Sequence, residues 1–170
     1  MVTGGPGEVV ALAAVCTGNI CRSAMAEVAW RDVFERDELL RRRVVVSSAG
    51  TARWDVGQAM DPRARRALDA AGLSAPGTLA AFADGAYVDR QDLIVVMTRE
   101  QRQDVVARAS RDVEVILVRD LAGDAPGLDL ADPYYGSADD FDSCLEVIQR
   151  AGRRLTEVLR QRPGAGSPGA

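Results

Sequence analysis

Apolar positions along the chain alternate between two patterns, short continuous runs and longer helical stripes. Residues 9–15 form a short apolar run, with Gly-rich sequence before it and a loop after it, which predicts a buried strand. Between residues 24 and 35, Met25, Val28, Ala29, Trp30 and Val33 recur at helical spacing. Residues 43–49 carry Val44, Val45 and Val46 and end at Gly50, predicting a second strand. Pro62 stands just inside a helix predicted over 62–71, with Asp61 placed to cap it and Gly72 to stop it. Residues 93–97 predict a third buried strand. A helix of about two turns is expected after it, starting near Arg99. Residues 113–118 predict a fourth strand, and 123–136, rich in Gly, Pro and Asp, a loop. Phe141, Leu145, Ile148, Leu155 and Leu159 mark the apolar stripe of a long last helix.

Strands alternating with helices predict an α/β fold, a four-stranded parallel sheet with helices on both faces. Residues 1–161 are expected to form this single domain, and 162–170, rich in Gly, Pro and Ser, a disordered tail. A length of 170 residues and 47% hydrophobic content suit one proper core. The net charge of −4 argues against an extended nucleic-acid surface, while a local basic rim around an anion remains compatible with it. All 21 basic residues are Arg. The first seven residues carry no basic side chain and the run 9–15 is too short to span a bilayer, so neither an export signal nor a membrane partner is expected. Three cysteines do not make a disulfide framework, which points to a reducing cytoplasm.

Histidine is absent. That excludes a Ser-His-Asp triad and a Cys-His pair, and with three cysteines it leaves no zinc centre of the usual kinds. Neither a metal nor a cofactor is expected, and a catalytic cysteine must be activated by something else.

The segment after the first strand offers such a means. It reads Cys16-Thr17-Gly18-Asn19-Ile20-Cys21-Arg22-Ser23 and lies between a strand and a helix start. Ligands of open parallel sheets bind beyond the carboxyl ends of the strands. Backbone N–H groups of the segment, with the free amides of the helix that follows, make an anion cradle. Gly18 allows a tight turn and close approach to a ligand, and Arg22 can close the cradle with a two-pronged bond to phosphate oxygens. A helix N-terminus and a guanidinium favour thiolate over thiol, so Cys16 is the candidate nucleophile. The Ser23 hydroxyl can donate to the thiolate and help it leave. A cysteine and an arginine six positions apart are, alone, better read as a strand end beside a surface charge. The strand, glycine, helix start and serine around them reverse that reading.

This loop resembles the C-x5-R-S signature of the low-molecular-weight protein tyrosine phosphatases, continuing as Ala24-Met25-Ala26-Glu27. The resemblance extends to Ser47-Ser48-Ala49-Gly50-Thr51, to Asp61-Pro62-Arg63-Ala64 and to Asp132-Pro133-Tyr134-Tyr135-Gly136, nearly the whole chain in the family's order. It implies a phosphatase loop after the first strand and hydrolysis of phosphate monoesters through a phosphocysteine on Cys16. Asp132, which by itself reads as a turn initiator before Pro133, becomes the implied general acid and then base. A tyrosine-phosphorylated protein or a small aryl phosphate is the implied substrate. Tyr134 and Tyr135, aromatics in a polar loop, and Trp54 are its expected walls. By the same resemblance Asn19 braces the loop, Ser48 hydrogen-bonds to it, and Cys21 is the redox partner that traps an oxidised Cys16 as a disulfide. Trp30 and Cys144 fall on apolar helix faces and are expected in the core.

The chain departs from the family pattern at three places. Asp55 follows Trp54 where relatives often carry histidine, and places a negative charge beside the cleft that would disfavour acidic phosphopeptides. Ser74-Ala75-Pro76-Gly77-Thr78-Leu79-Ala80-Ala81 replaces a Gly/Ser-His-x-Ala-Arg segment whose histidine helps hold the loop asparagine. Thr98 replaces an acidic residue near the end of the third strand. Asn19 must then be held differently or more weakly. Two other readings stay open: a thiol-dependent arsenate reductase, for which only Cys144 remains as a downstream relay, and a phosphoprotein- or anion-binding module that has lost turnover.

Overall fold

In a computed structural model that describes residues 8–74 and 77–162, the four apolar runs become parallel strands. They are β1 (Val10–Cys16), β2 (Val44–Gly50), β3 (Leu93–Val96) and β4 (Glu114–Leu117), in the order β2-β1-β3-β4. β1 pairs with β2 from Val10↔Val44 to Cys16↔Gly50, and with β3 from Leu12↔Leu93 to Val15↔Val96. The chain thus adds β2 on one side of β1 and then crosses to add β3 on the other. The crevice for a ligand lies beyond the carboxyl end of such a strand.

Helices cover both faces, as expected. On one side α1 (Arg22–Glu35), α2 (Pro62–Ala70), α5 (Val118–Ala122) and α6 (Ala138–Gln161) bury the larger apolar cluster. On the other, α3 (Gly85–Asp89) and α4 (Arg99–Arg108) bury the second, with Ala13, Val15, Ile94, Val96 and Val105. Asp61 caps α2 by accepting the Arg63 N–H at 2.8 Å. Trp30 and Cys144 are buried, and the Trp30 indole donates to the Ile148 carbonyl at 2.8 Å. Burying so large a ring is worth about 1.5–3 kcal/mol once its N–H has a partner. Gly152 of α6 lies against it: a Cβ there would stand 2.7 Å from Trp30 Cδ1.

Three expectations shift. α1 begins at Arg22 rather than residue 24, so Arg22 and Ser23 belong to its first turn. α4 is ten residues long, and Val118 leaves the last strand to start α5. The five-residue helices α3 and α5 are too short to display a helical period in sequence. The first seven residues, Ala75, Pro76 and residues 163–170 of the predicted tail lie outside the described residues. Arg162 is described, and it donates to Glu114 Oε2 at 2.6 Å. Among the described residues no helix is long and apolar enough to cross a membrane.

Candidate active site

β1 delivers Cys16 to the carboxyl edge of the sheet, and α1 leaves from Arg22, so residues 17–21 must bend back over the strand end. The bend is made at Asn19, whose φ of 59° is left-handed, and not at Gly18. Gly18 lies close to a movable wall instead: a Cβ there would lie 2.5 Å from Oδ2 at the tip of the Asp55 side chain. Gly50, paired with Cys16, is the stricter constraint, since a Cβ would meet the Thr17 carbonyl, backbone that cannot swing aside, at 2.4 Å. The loop therefore rests on β2 with no room for a methyl group.

The bend aims donors at sulfur. The Asn19 N–H donates to Cys16 Sγ at 3.2 Å, and Ser23 Oγ lies 3.0 Å from the same atom. Asn19 Nδ2 donates to Ser23 Oγ at 2.8 Å and to Ser48 Oγ at 2.9 Å. Ser48 Oγ in turn donates a hydrogen bond to Glu27, a buried carboxylate of α1 that also holds Arg31. Ser23 Oγ has one proton and two acceptors, Cys16 Sγ and the Ala49 carbonyl at 3.4 Å. When sulfur carries negative charge, that proton turns to it. The remaining Asn19 atom, Oδ1, accepts the Ala81 N–H at 2.9 Å. A backbone amide from the segment that lacks the family histidine thus does the bracing.

Arg22 is buried, with Nη1 donating to the Leu130 carbonyl at 2.9 Å and Nη2 to Asp132 Oδ2 at 3.2 Å. Its Nε has no hydrogen-bond partner among the described residues. A buried donor of this kind favours an oxyanion. Asp132 caps the short turn Pro133–Tyr135 by accepting the Tyr134 N–H, and Arg63 secures that turn through the Tyr134 carbonyl at 2.9 Å.

These pieces enclose a cleft of about 320 Å³. Its floor is Cys16, Thr17, Gly18, Asn19, Ile20, Cys21 and Arg22, and its walls are Trp54, Asp55, Asp132, Tyr134 and Tyr135. Ser23 and Ser48 lie beneath the floor through the bonds described. The side chains named in the sequence as candidate site residues are therefore in one place, with Trp30 and Cys144 in the core as expected. All three cysteines are free. Burial, then the carboxylates of Asp61 and Asp132, push the Cys21 thiol up. Burial pushes Cys144 up to about 12.

Two further residues reach the loop without a signal of their own in the sequence reading. Glu27 ends the chain of bonds under Asn19. Gln101, almost wholly buried, donates from Nε2 to Thr17 Oγ1 at 3.1 Å while its Oε1 accepts the N–H groups of Met97 and Thr98. The spacing Thr98-x-x-Gln101 is a capping box and was the readable clue. Thr98, which replaces an acidic residue of the family pattern, is its N-cap.

Known proteins agree with this geometry. The sequence model of the family described as low molecular weight phosphotyrosine protein phosphatase matches residues 11–163. The low molecular weight protein-tyrosine phosphatase A of Mycobacterium tuberculosis is 37% identical over 161 residues, covering 91% of this chain and 94% of the relative. The low molecular weight protein-tyrosine-phosphatase of Streptomyces coelicolor is 35% identical over 152 residues, covering 86% and 92%. The crystal structure of YfkJ from Bacillus subtilis superposes with a TM-score of 0.82 at 27% identity, over 92% of this chain and 98% of that one. The chain belongs to the low molecular weight protein tyrosine phosphatase family, whose members are hydrolases.

Proposed function

We propose that the chain hydrolyses phosphate esters of tyrosine, in proteins or small aryl phosphates, through a phosphocysteine on Cys16. The observation that carries the proposal is the pair of donors at Cys16 Sγ, the Asn19 amide and the Ser23 hydroxyl, on the floor of a cleft that also holds Arg22 and Asp132. Phosphate oxygens rest against the amides of residues 17–22 and the Arg22 guanidinium. A thiolate electron pair on Cys16 forms the S–P bond as the P–O bond breaks. The leaving oxygen keeps that bond's electrons and takes a proton from the Asp132 carboxyl. The carboxylate then removes a proton from water as its oxygen attacks phosphorus, and the S–P electrons return to sulfur. Ser23 steadies the returning thiolate. Phosphate competes with Asp132 for Arg22, which frees the acid to meet the leaving oxygen.

Exposed aromatic walls at Trp54, Tyr134 and Tyr135 suit a flat ring above the phosphate. A cytoplasmic setting, where three free thiols stay reduced, belongs to the same reading. The buried, neutral Cys144 makes a poor relay for an arsenate reductase. An acid in place beside a complete loop counts against a module that only binds. Hydrolysis of para-nitrophenyl phosphate by the wild type, Cys16→Ser and Asp132→Ala tests the proposal. Cys16→Ser should lose turnover yet still bind phosphate. Asp132→Ala should slow hydrolysis on the order of 10²–10⁴-fold, least for good leaving groups. Equal losses for good and poor leaving groups would remove Asp132 from the acid role, and turnover surviving in Cys16→Ser would end the proposal.

A further inference from the structure

Ala81 can brace Asn19 only if its own segment is held still, and that segment is an irregular stretch beyond the sheet edge. It is fastened from both sides. Gly50 N–H donates to the Ala81 carbonyl and Ala83 N–H to the Gly50 carbonyl, each at 2.8 Å, so Phe82 extends the sheet beside the end of β2. Arg108, in the last turn of α4, then ties the two segments together. Its Nη1 donates to the Ala83 carbonyl and its Nη2 to the Thr51 carbonyl, both at 2.9 Å, with the guanidinium carbon 4.9 Å from the centre of the Phe82 ring. Arg53 packs on the same ring at 3.9 Å. Both tied segments reach the phosphate loop one bond later. Thr51 N–H donates to the Cys16 carbonyl at 2.9 Å, and Ala81 N–H to Asn19 Oδ1.

We propose that Arg108 is a positioning residue for the phosphate loop, its guanidinium fork holding the segment that keeps Asn19 in its left-handed conformation in place of the family histidine. This rests on the reading of Cys16 as the nucleophile. Arg108 does not line the cleft, so it acts only through the backbone of residues 51 and 81–83. The planar fork matters because two carbonyls on different segments must be met at once. A lysine ammonium is a point charge on a flexible stem and does not fix their relative position. Loosening Ala81 releases Asn19, and with it the amide and the serine hydroxyl aimed at sulfur. A displacement of about 1 Å at a reacting group costs roughly 100-fold in rate.

The test compares Arg108→Ala, Arg108→Lys and, as control, Arg102→Ala, an exposed position on the same helix. Two readouts are needed: kcat and KM for para-nitrophenyl phosphate, and the phosphate concentration that halves the rate of Cys16 alkylation by iodoacetate. Arg108→Ala should lower kcat by roughly 10–100-fold and raise the protecting phosphate concentration about tenfold, with Arg102→Ala unchanged. Arg108→Lys should recover the melting temperature without recovering either readout. A folded Arg108→Ala with wild-type kcat and phosphate protection would overturn the proposal, as would full rescue by lysine. If Arg108→Ala does not fold, Arg108→Lys carries the same comparison. A wild type that does not turn over the ester would sink the phosphatase reading alone, because phosphate protection needs no turnover and still judges Arg108.

Discussion

The floor and the rim of the cleft are built on opposite principles. Under the floor, Asn19, Ser23 and Glu27 are buried polar side chains joined in one network through Ser48, and buried Gln101 separately holds Thr17. At the rim, Trp54 is 81% exposed and Tyr135 89% exposed. Tyr134 touches Tyr135 edge to face with ring centres 5.0 Å apart, and is itself 43% exposed. A satisfied buried network holds one geometry, because each broken bond leaves a polar group stranded out of water. An exposed ring gives up little when it is moved or replaced. The floor is thus held in one arrangement while the rim is free to vary, and under the proposed function the rim is where one ester would be told from another.

The strongest way to sharpen this contrast is to compare the three thiols, two in the same loop and one behind it. Iodoacetate should modify Cys16 more than about 100-fold faster than Cys21 or Cys144, because the Asn19 amide and the Ser23 hydroxyl are aimed at its sulfur and thiolate is the reacting form. Burial, then the Asp61 and Asp132 carboxylates, push Cys21 up, and burial holds Cys144 at about 12, so both stay protonated. Peptide mapping by mass spectrometry checks this, and comparable labelling of Cys21 would erase the distinction. Breaking the floor comes next. Asn19→Gly tolerates the positive φ but loses every side-chain bond, while Asn19→Ala loses both. Each should cut kcat on the order of 100-fold, with the alanine variant also less stable by about 1–2 kcal/mol. Wild-type kcat in Asn19→Gly would show that the conformation, and not the network, is what the loop needs. The smallest effect belongs to the rim. Trp54→Ala should raise KM for aryl phosphates by roughly 2–10-fold, as expected for one lost stacking partner, with kcat and melting temperature nearly unchanged. A large fall in melting temperature would mean that Trp54 is part of the scaffold.

What could be read from the sequence follows the same division. The four strands announce themselves because a strand covered on both faces is an unbroken apolar run. Cys16 and Arg22 could be picked out because the strand end, Gly18 and the helix start beside them in sequence are also beside them in space, whereas Asp132 by itself reads as a turn initiator and is marked only by the resemblance. The Asn19 brace was not, since Ala81 contributes a backbone N–H that any residue but proline would supply. Arg108 was hidden for a related reason: its partners are the carbonyls of Thr51 and Ala83, and carbonyls leave no mark on sequence. Gly18 misled, as a glycine in a bend suggests the positive φ that Asn19 in fact adopts. The start of α1 was placed late because Arg22 and Ser23 are polar, yet both are buried by the site they serve.

The contact between Gly152 and Trp30 carries a consequence well away from where it sits. Trp30 is eight residues along α1 from Arg22, about 12 Å at the usual helical rise. A helix pinned there behaves as a lever, its near end packed into the core through buried Phe34 and its far end bearing the amides proposed to meet phosphate. A methyl group at residue 152 would press on the indole from 2.7 Å and push at the pivot. Tilting the lever by about 5° would carry its far end roughly 1 Å, a displacement to which reaction rates are acutely sensitive. The aim of the phosphate loop is thus set partly by a hydrogen atom on the far side of the core.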